Sequence, residues 1–160
     1  MIQDSGERRE FETGAVRDIQ EGKGRLDLTP ILEMSEVLED DTLLLIGRFM
    51  VSGVKTNLIK SLQEFANTYY SEYRYSNQSI ADMFLEVSIH YEEGAKKYGE
   101  HNWEKGIPLH CYIDSAVRHY LKYLRGDTDE RHDRAFVWNI LGALWTLNNK
   151  PELDDIRRAE

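Results

Sequence analysis

FLEVSIHYEEGAKKYGEHNW, residues 84–103, is the stretch from which the fold is read. In it and just before it, Met83, Phe84, Val87, Tyr91, Ala95 and Tyr98 recur at helical spacing, so one stripe faces a core. Beside that stripe Glu86, His90, Glu93 and Lys97 follow at intervals of four, three and four, which stacks them along one flank. Gly99 offers the helix a left-handed stop, and a polar loop follows with His101, Asn102 and Trp103. Carboxylates, an imidazole, an ammonium, an amide and an indole thus gather near one helix end. The pattern fits a binding site, and it also fits an amphipathic helix with a solvated charged face.

The whole chain narrows the choice. At 160 residues it is long enough for one domain with a core and too short to expect two. A formal net charge of −9 provides no field for a nucleic-acid polymer, whereas a small anion remains compatible with a pocket that gathers Arg and Lys. Cys111 is alone, which excludes an internal disulfide and a multi-cysteine zinc site and suits a reducing compartment. The charged start MIQDSGERREFETG reads neither as a signal peptide nor as an anchor, and the apolar run Leu43–Ile46 is far too short to span a bilayer. The expectation is a soluble cytoplasmic protein with no membrane partner.

Outward from the deciding stretch, residues 1–29 lack sustained periodicity and read as an irregular arm. Within it Arg17, Lys23 and Arg25 surround Gly22 and Gly24, where backbone amides can cradle an anion beside basic side chains. The spacing is not that of a P-loop. The arm is expected to close over a ligand. Helices are expected over about 30–39, 43–50 and 56–73, and Ser79 is a natural N-cap for the helix 80–98. Tyr69, Tyr70, Tyr73 and Tyr75 offer either a stacking surface or the sealed edge of a core.

A further helix is expected from Leu109 to Arg125, with Asp114 and Arg118 at ion-pair spacing and Gly126 at its end. Asp127 and Glu130 then resemble a capping box for a last helix over about 128–147. One strip of that helix, His132, Ala135, Asn139, Gly142, Ala143 and Thr146, is small or polar, and it is expected to face the helix 80–98 with Asn139 beside Trp103. A buried amide there must be hydrogen-bonded or cost about 1–3 kcal/mol, so Asn139 either ties helices together or contacts a ligand. Residues 151–160 read as a loose tail. With no sustained strand alternation, the fold class is all-α: a single-domain bundle of five or six helices over 30–150, with the arm before it.

Three segments, GAKKYGEHNWEKGIP (94–108), DSAVRHYLKYLRGDTDERHDRAFVWN (114–139) and FETGAVRDIQEGKGRLDL (11–28), together resemble the phage-encoded dATP/dGTP diphosphohydrolase N-terminal domain family, which is associated with MazG- and MazZ-type enzymes. The resemblance covers nearly the whole chain. It implies a small nucleotide as ligand, in the cytoplasm of an infected bacterial host, and it is compatible with a homo-oligomer. MazG-related enzymes hold magnesium with EExxE on one helix and ExxD on the next. Here Glu92-Glu93 is followed at the third position by Lys96, and the helix 109–125 has no ExxD.

Two readings follow. In the first, a deoxynucleoside triphosphate is cleaved to monophosphate and pyrophosphate: Glu86, Glu93 and Asp133 hold Mg²⁺, with Asp114 and Asp129 as further carboxylates, while Lys97 and Arg118 neutralise phosphate. In the second, a sponge retains a linear or cyclic nucleotide signal without a metal. The ligand-binding candidates are Arg17, Lys23, Arg25, Lys97, Tyr98, Asn102, Trp103, Arg118, His119, His132 and Asn139. A third reading, an accessory phage protein whose polar clusters staple helices, needs no ligand.

Overall fold

The computed structural model describes residues 4–70 and 76–159. Six α-helices carry the described chain: α1 (Ile31–Leu38), α2 (Asp41–Ser52), α3 (Thr56–Tyr69), α4 (Ser76–Tyr98), α5 (Leu109–Arg125) and α6 (His132–Asn149). The helices start and stop where local chemistry directs. The Asp40 carboxylate accepts the Leu43 N–H at 2.8 Å and opens α2. Gly126 takes a left-handed conformation, φ 91°, and its N–H closes α5 onto the carbonyls of Lys122 and Tyr123. The fold is all-α apart from one small hairpin, and no helix among the described residues is long and apolar enough to cross a membrane.

The core lies where α5 and α6 pack on each other, with α4 against α6 and α3 packed between α2 and α4. Phe65, Tyr112, Tyr120 and Phe136 are fully buried, and the Phe65 and Phe136 rings stand 4.7 Å apart. Aromatic burial of this kind dominates core energetics. The Tyr120 hydroxyl, deep in that core, donates to Asp40 Oδ2 at 2.6 Å, so the buried phenol is satisfied. At Gly142 the two central helices touch: a Cβ there would lie 2.3 Å from Tyr112 Cε1. Gly142→Ala should therefore cost about 1–3 kcal/mol by overpacking, visible as a lower midpoint in urea. An unchanged midpoint would show that the crossing can yield.

Several expectations are corrected by the packing. The small strip of α6 faces α5, with Gly142 against Tyr112 and the His132 ring 5.2 Å from that of His119. It does not face α4, because the large residues Trp138 and Trp145 fill that side, Trp138 against His90 and Tyr91. α4 begins at Ser76, so Ser79 is inside the helix, buried and hydrogen-bonded to Asn67 instead of capping. α6 begins at His132, because Asp127 is drawn into an ion pair with Arg125. Tyr69 and Tyr70 seal the edge of the core against Phe65, and Tyr73 and Tyr75 lie outside the described residues. The tail is docked, not loose: Asp155 accepts the His110 N–H at 2.9 Å, and Arg158 lies over the Phe49 ring.

The arm also holds more order than its sequence suggests. β1 (Arg8–Glu10) and β2 (Val16–Asp18) pair antiparallel, with Arg9 opposite Arg17. Strands of three residues are too short to sustain a period-2 pattern, so the hairpin leaves little trace in the sequence.

Candidate functional site

The arm is fastened to the helices by groups that mimic or satisfy backbone. The Asn102 amide, held in a short turn after α4, accepts the Val16 N–H at 2.9 Å and donates to the Val16 carbonyl at 2.8 Å. One side chain thus serves β2 as a neighbouring strand would. On α5, Asp114 is 1% exposed and accepts the Leu26 N–H at 2.6 Å. Arg118 donates to both Asp114 oxygens, at 2.8 and 2.7 Å, and to the Gly24 carbonyl at 2.8 Å. The Thr13 hydroxyl meets the Gly106 carbonyl.

Beneath the arm lies a cavity of about 860 Å³, walled by the hairpin, α4, α5 and α6. Arg17 reaches into it from β2. Its Nη2 donates to Ser115 Oγ at 3.0 Å and to Asn139 Oδ1 at 3.1 Å, and its guanidinium lies 5.5 Å from the ring centres of both Tyr112 and Trp138. Its Nη1 is buried and has no hydrogen-bond partner, and among the described residues no carboxylate pairs with it. Burial accordingly pushes the Arg17 pKa below its ordinary value. An enclosed cation with an unused donor is costly alone and well suited to an incoming anion.

Arg9 stands beside it across the hairpin, on the same face because directly opposed residues share a face. Its Nη2 donates to Cys111 Sγ at 3.0 Å, and its Nε is buried without a partner. Two guanidiniums side by side repel, which again favours an anion between or against them.

Asn139 lines the cavity, and its side-chain hydrogen bonds run within α6 and to the arm, not from one helix to another. Its Nδ2 donates to the Ala135 carbonyl at 2.8 Å within α6 while its Oδ1 holds Arg17. Further along the same wall, His119 Nδ1 lies 2.9 Å from His132 Nδ1, and His132 Nε2 lies 2.7 Å from Asp129 Oδ1. Burial foremost, then neighbouring His132, holds the His119 pKa well below the usual histidine range.

His90, on α4 and also lining the cavity, is pushed down to about 4 by burial. Unfolded, an imidazole titrates near 6.5, so below that pH the unfolded chain binds the extra proton. Stability is therefore present above about 6.5 and is lost as pH falls toward 4, on the order of 3 kcal/mol when complete. His110 shifts the other way, up to about 9, chiefly through its hydrogen bond to Cys111 and also through Asp155. Its contribution is full below about 6.5 and is lost as pH rises through about 9. Urea denaturation across pH should peak near about 6.5, and His90→Gln should flatten the acid side. Stability that rises steadily down to about pH 5 would contradict this.

Of the residues expected at a site, Arg17, Lys23, Arg25, Tyr98, Asn102, Arg118, His119 and Asn139 line the cavity. Their charges are not equally available. Lys23 pairs with Asp18 at 2.8 Å and Arg25 with Asp27 at 2.7 Å. Lys97, Trp103 and His132 do not line it: Lys97 lies 3.5 Å from Asp4, Trp103 packs edge-on against Trp145, and His132 is buried behind His119. The set proposed for magnesium, Glu86, Glu93 and Asp133, is likewise outside the lining. Glu86 Oε2 accepts from Arg131 and Arg134, and both Asp133 oxygens are taken by Arg131 and the Tyr70 hydroxyl. Magnesium needs several oxygens converging at about 2.0–2.1 Å, and carboxylates engaged in this way do not fit it. Missed from the sequence were Arg9, Ser115 and Trp138. The placement of Arg9 and Arg17 about equally far on either side of Thr13-Gly14 was the available signal for a hairpin presenting both.

No curated protein and no solved structure matches the chain. The sequence model of the family described as dATP/dGTP diphosphohydrolase, N-terminal, matches residues 67–156. That span takes in α4, α5 and α6 with His90, Asn102, Asp114, His119 and Asn139, and it covers more than half of the 160 residues. The chain therefore belongs to the dATP/dGTP diphosphohydrolase N-terminal domain family.

Proposed function

We propose that this chain binds a small nucleotide by its phosphates in the cavity under the arm, and retains it. The observation that carries this reading is Arg17, a guanidinium enclosed among Tyr112, Trp138, Ser115 and Asn139 with a buried, unused donor. Arg9 adds a second cation on the same face of the hairpin. Trp138, half-buried in the cavity wall, supports the Arg17 guanidinium and adds aromatic surface to the lining. The family description supports a purine deoxynucleoside triphosphate as the ligand class. It also favours a second reading, cleavage to monophosphate and pyrophosphate. Retention is preferred because Glu86 and Asp133, two of the three carboxylates expected to serve magnesium, are engaged by arginines.

The test is to incubate the full chain with dATP or dGTP, with and without Mg²⁺, exchange the buffer, heat-denature the protein and analyse what is released. Intact triphosphate in both conditions is expected. Monophosphate and pyrophosphate would move the assignment to the hydrolase, and retention of no nucleotide at all would overturn it.

A further inference from the structure

We propose that His119, His132 and Glu130 form a site for one divalent transition-metal ion of the zinc class, set in the cavity wall close to Arg17. Its role toward phosphate rests on the nucleotide reading above, but the metal binding itself does not.

The geometry begins with two imidazole nitrogens at hydrogen-bond distance, a contact that a shared metal ion would replace. His119 Nδ1 and His132 Nδ1 are 2.9 Å apart, and Glu130 Oε1 is 3.6 Å from His119 Nδ1. All three ligand atoms lie within 4.8 Å of one another. Tetrahedral ligands at about 2.0–2.1 Å from zinc stand roughly 3.3 Å apart, a spacing that these distances bracket. On its far edge His132 Nε2 is 2.7 Å from Asp129 Oδ1. A carboxylate there takes the N–H and leaves the lone pair on Nδ1, the outer support that metal-bound histidines receive. The His132 side chain is fully buried, so its orientation is fixed.

The donor set argues for the ion's class. Two imidazoles and one carboxylate suit zinc and its borderline neighbours, whereas magnesium prefers oxygen alone. A second group, Asp127, Asp129 and His132, offers only one nitrogen and uses the edge that Asp129 already holds. Three protein ligands leave a fourth position, and His119 and Glu130 both line the cavity, so that position opens toward it. Ser115, which holds Arg17, precedes His119 by one helical turn, about 6 Å along α5. Metal and guanidinium would then grip neighbouring oxygens of one polyphosphate.

The experiment titrates metal-free full-length protein with ZnCl₂ by calorimetry, without nucleotide. One zinc ion per chain is expected, with MgCl₂ unable to displace it. His119→Gln and Glu130→Gln should each weaken binding by at least about 10-fold, and Asp129→Asn by about 10–100-fold. Cys111→Ser should leave it unchanged, which excludes the His110, Cys111 and Asp155 cluster as the source. Circular dichroism confirms folding of each variant, and Glu130→Gln keeps the test alive if a histidine variant unfolds. No zinc binding, or undiminished binding in both His119→Gln and Glu130→Gln, overturns the site. Retained nucleotide with no zinc binding would sink this inference alone; zinc binding with no retained nucleotide would sink only the nucleotide reading.

Discussion

Replacing Arg118 by alanine is expected to destabilise the protein by about 3–5 kcal/mol, the cost of leaving one partner of a buried ion pair behind. Asp114 is 1% exposed, and Arg118 satisfies both of its oxygens. The same guanidinium holds the carbonyls of Lys23 and Gly24, so its loss also unfastens the arm. Urea denaturation measures the first effect, and proteolysis within residues 19–25 reports the second. The double change Asp114→Leu with Arg118→Met should recover part of the stability, because an apolar pair replaces a charged one. A loss below about 1 kcal/mol in Arg118→Ala would mean that Asp114 reaches water on its own, as exposed pairs do. Arg118 belongs, on this geometry, to the clasp of the arm, not to the set of free cations that its sequence position suggests.

Arg17→Met is expected to separate stability from binding. The substitution removes a buried donor that has no partner, which relieves a penalty of about 1–3 kcal/mol. It also removes hydrogen bonds to Ser115 and Asn139. These effects oppose each other, so the midpoint of unliganded protein should stay within about 1 kcal/mol of the parent. Affinity for dATP or dGTP should fall roughly 10- to 150-fold, equivalent to the about 1.5–3 kcal/mol of a hydrogen bond to a charged group. Stability and binding measured on the same variant make the distinction. A large loss of stability with unchanged affinity would make Arg17 a structural residue.

The helices were legible where a long stripe met a clear stop. α5 runs from Leu109 to Arg125 as its seam and Gly126 indicate, and α4 ends at Tyr98 before Gly99. The start of α6 was not, because a capping pattern at Asp127 competes with an ion pair to Arg125 that only the folded turn permits. Within the cavity, Arg17 and Asn139 were visible as anomalies: a cation near glycines and an amide among aromatics. The partner of each charge was hidden. Glu86 meets Arg134 from 48 residues away, and Lys97 turns to Asp4 across the whole length of the arm. Such pairings depend on how elements dock, which local periodicity does not encode.

On the proposed function, the cavity recognises phosphates through Arg17 and Arg9. Calorimetric titration of the full chain with dATP, dAMP and deoxyadenosine tests it most directly. Affinity should decrease in that order, with no binding of the nucleoside at concentrations that saturate with dATP. Equal affinity for all three would contradict it, since the arginines would then contribute nothing to recognition.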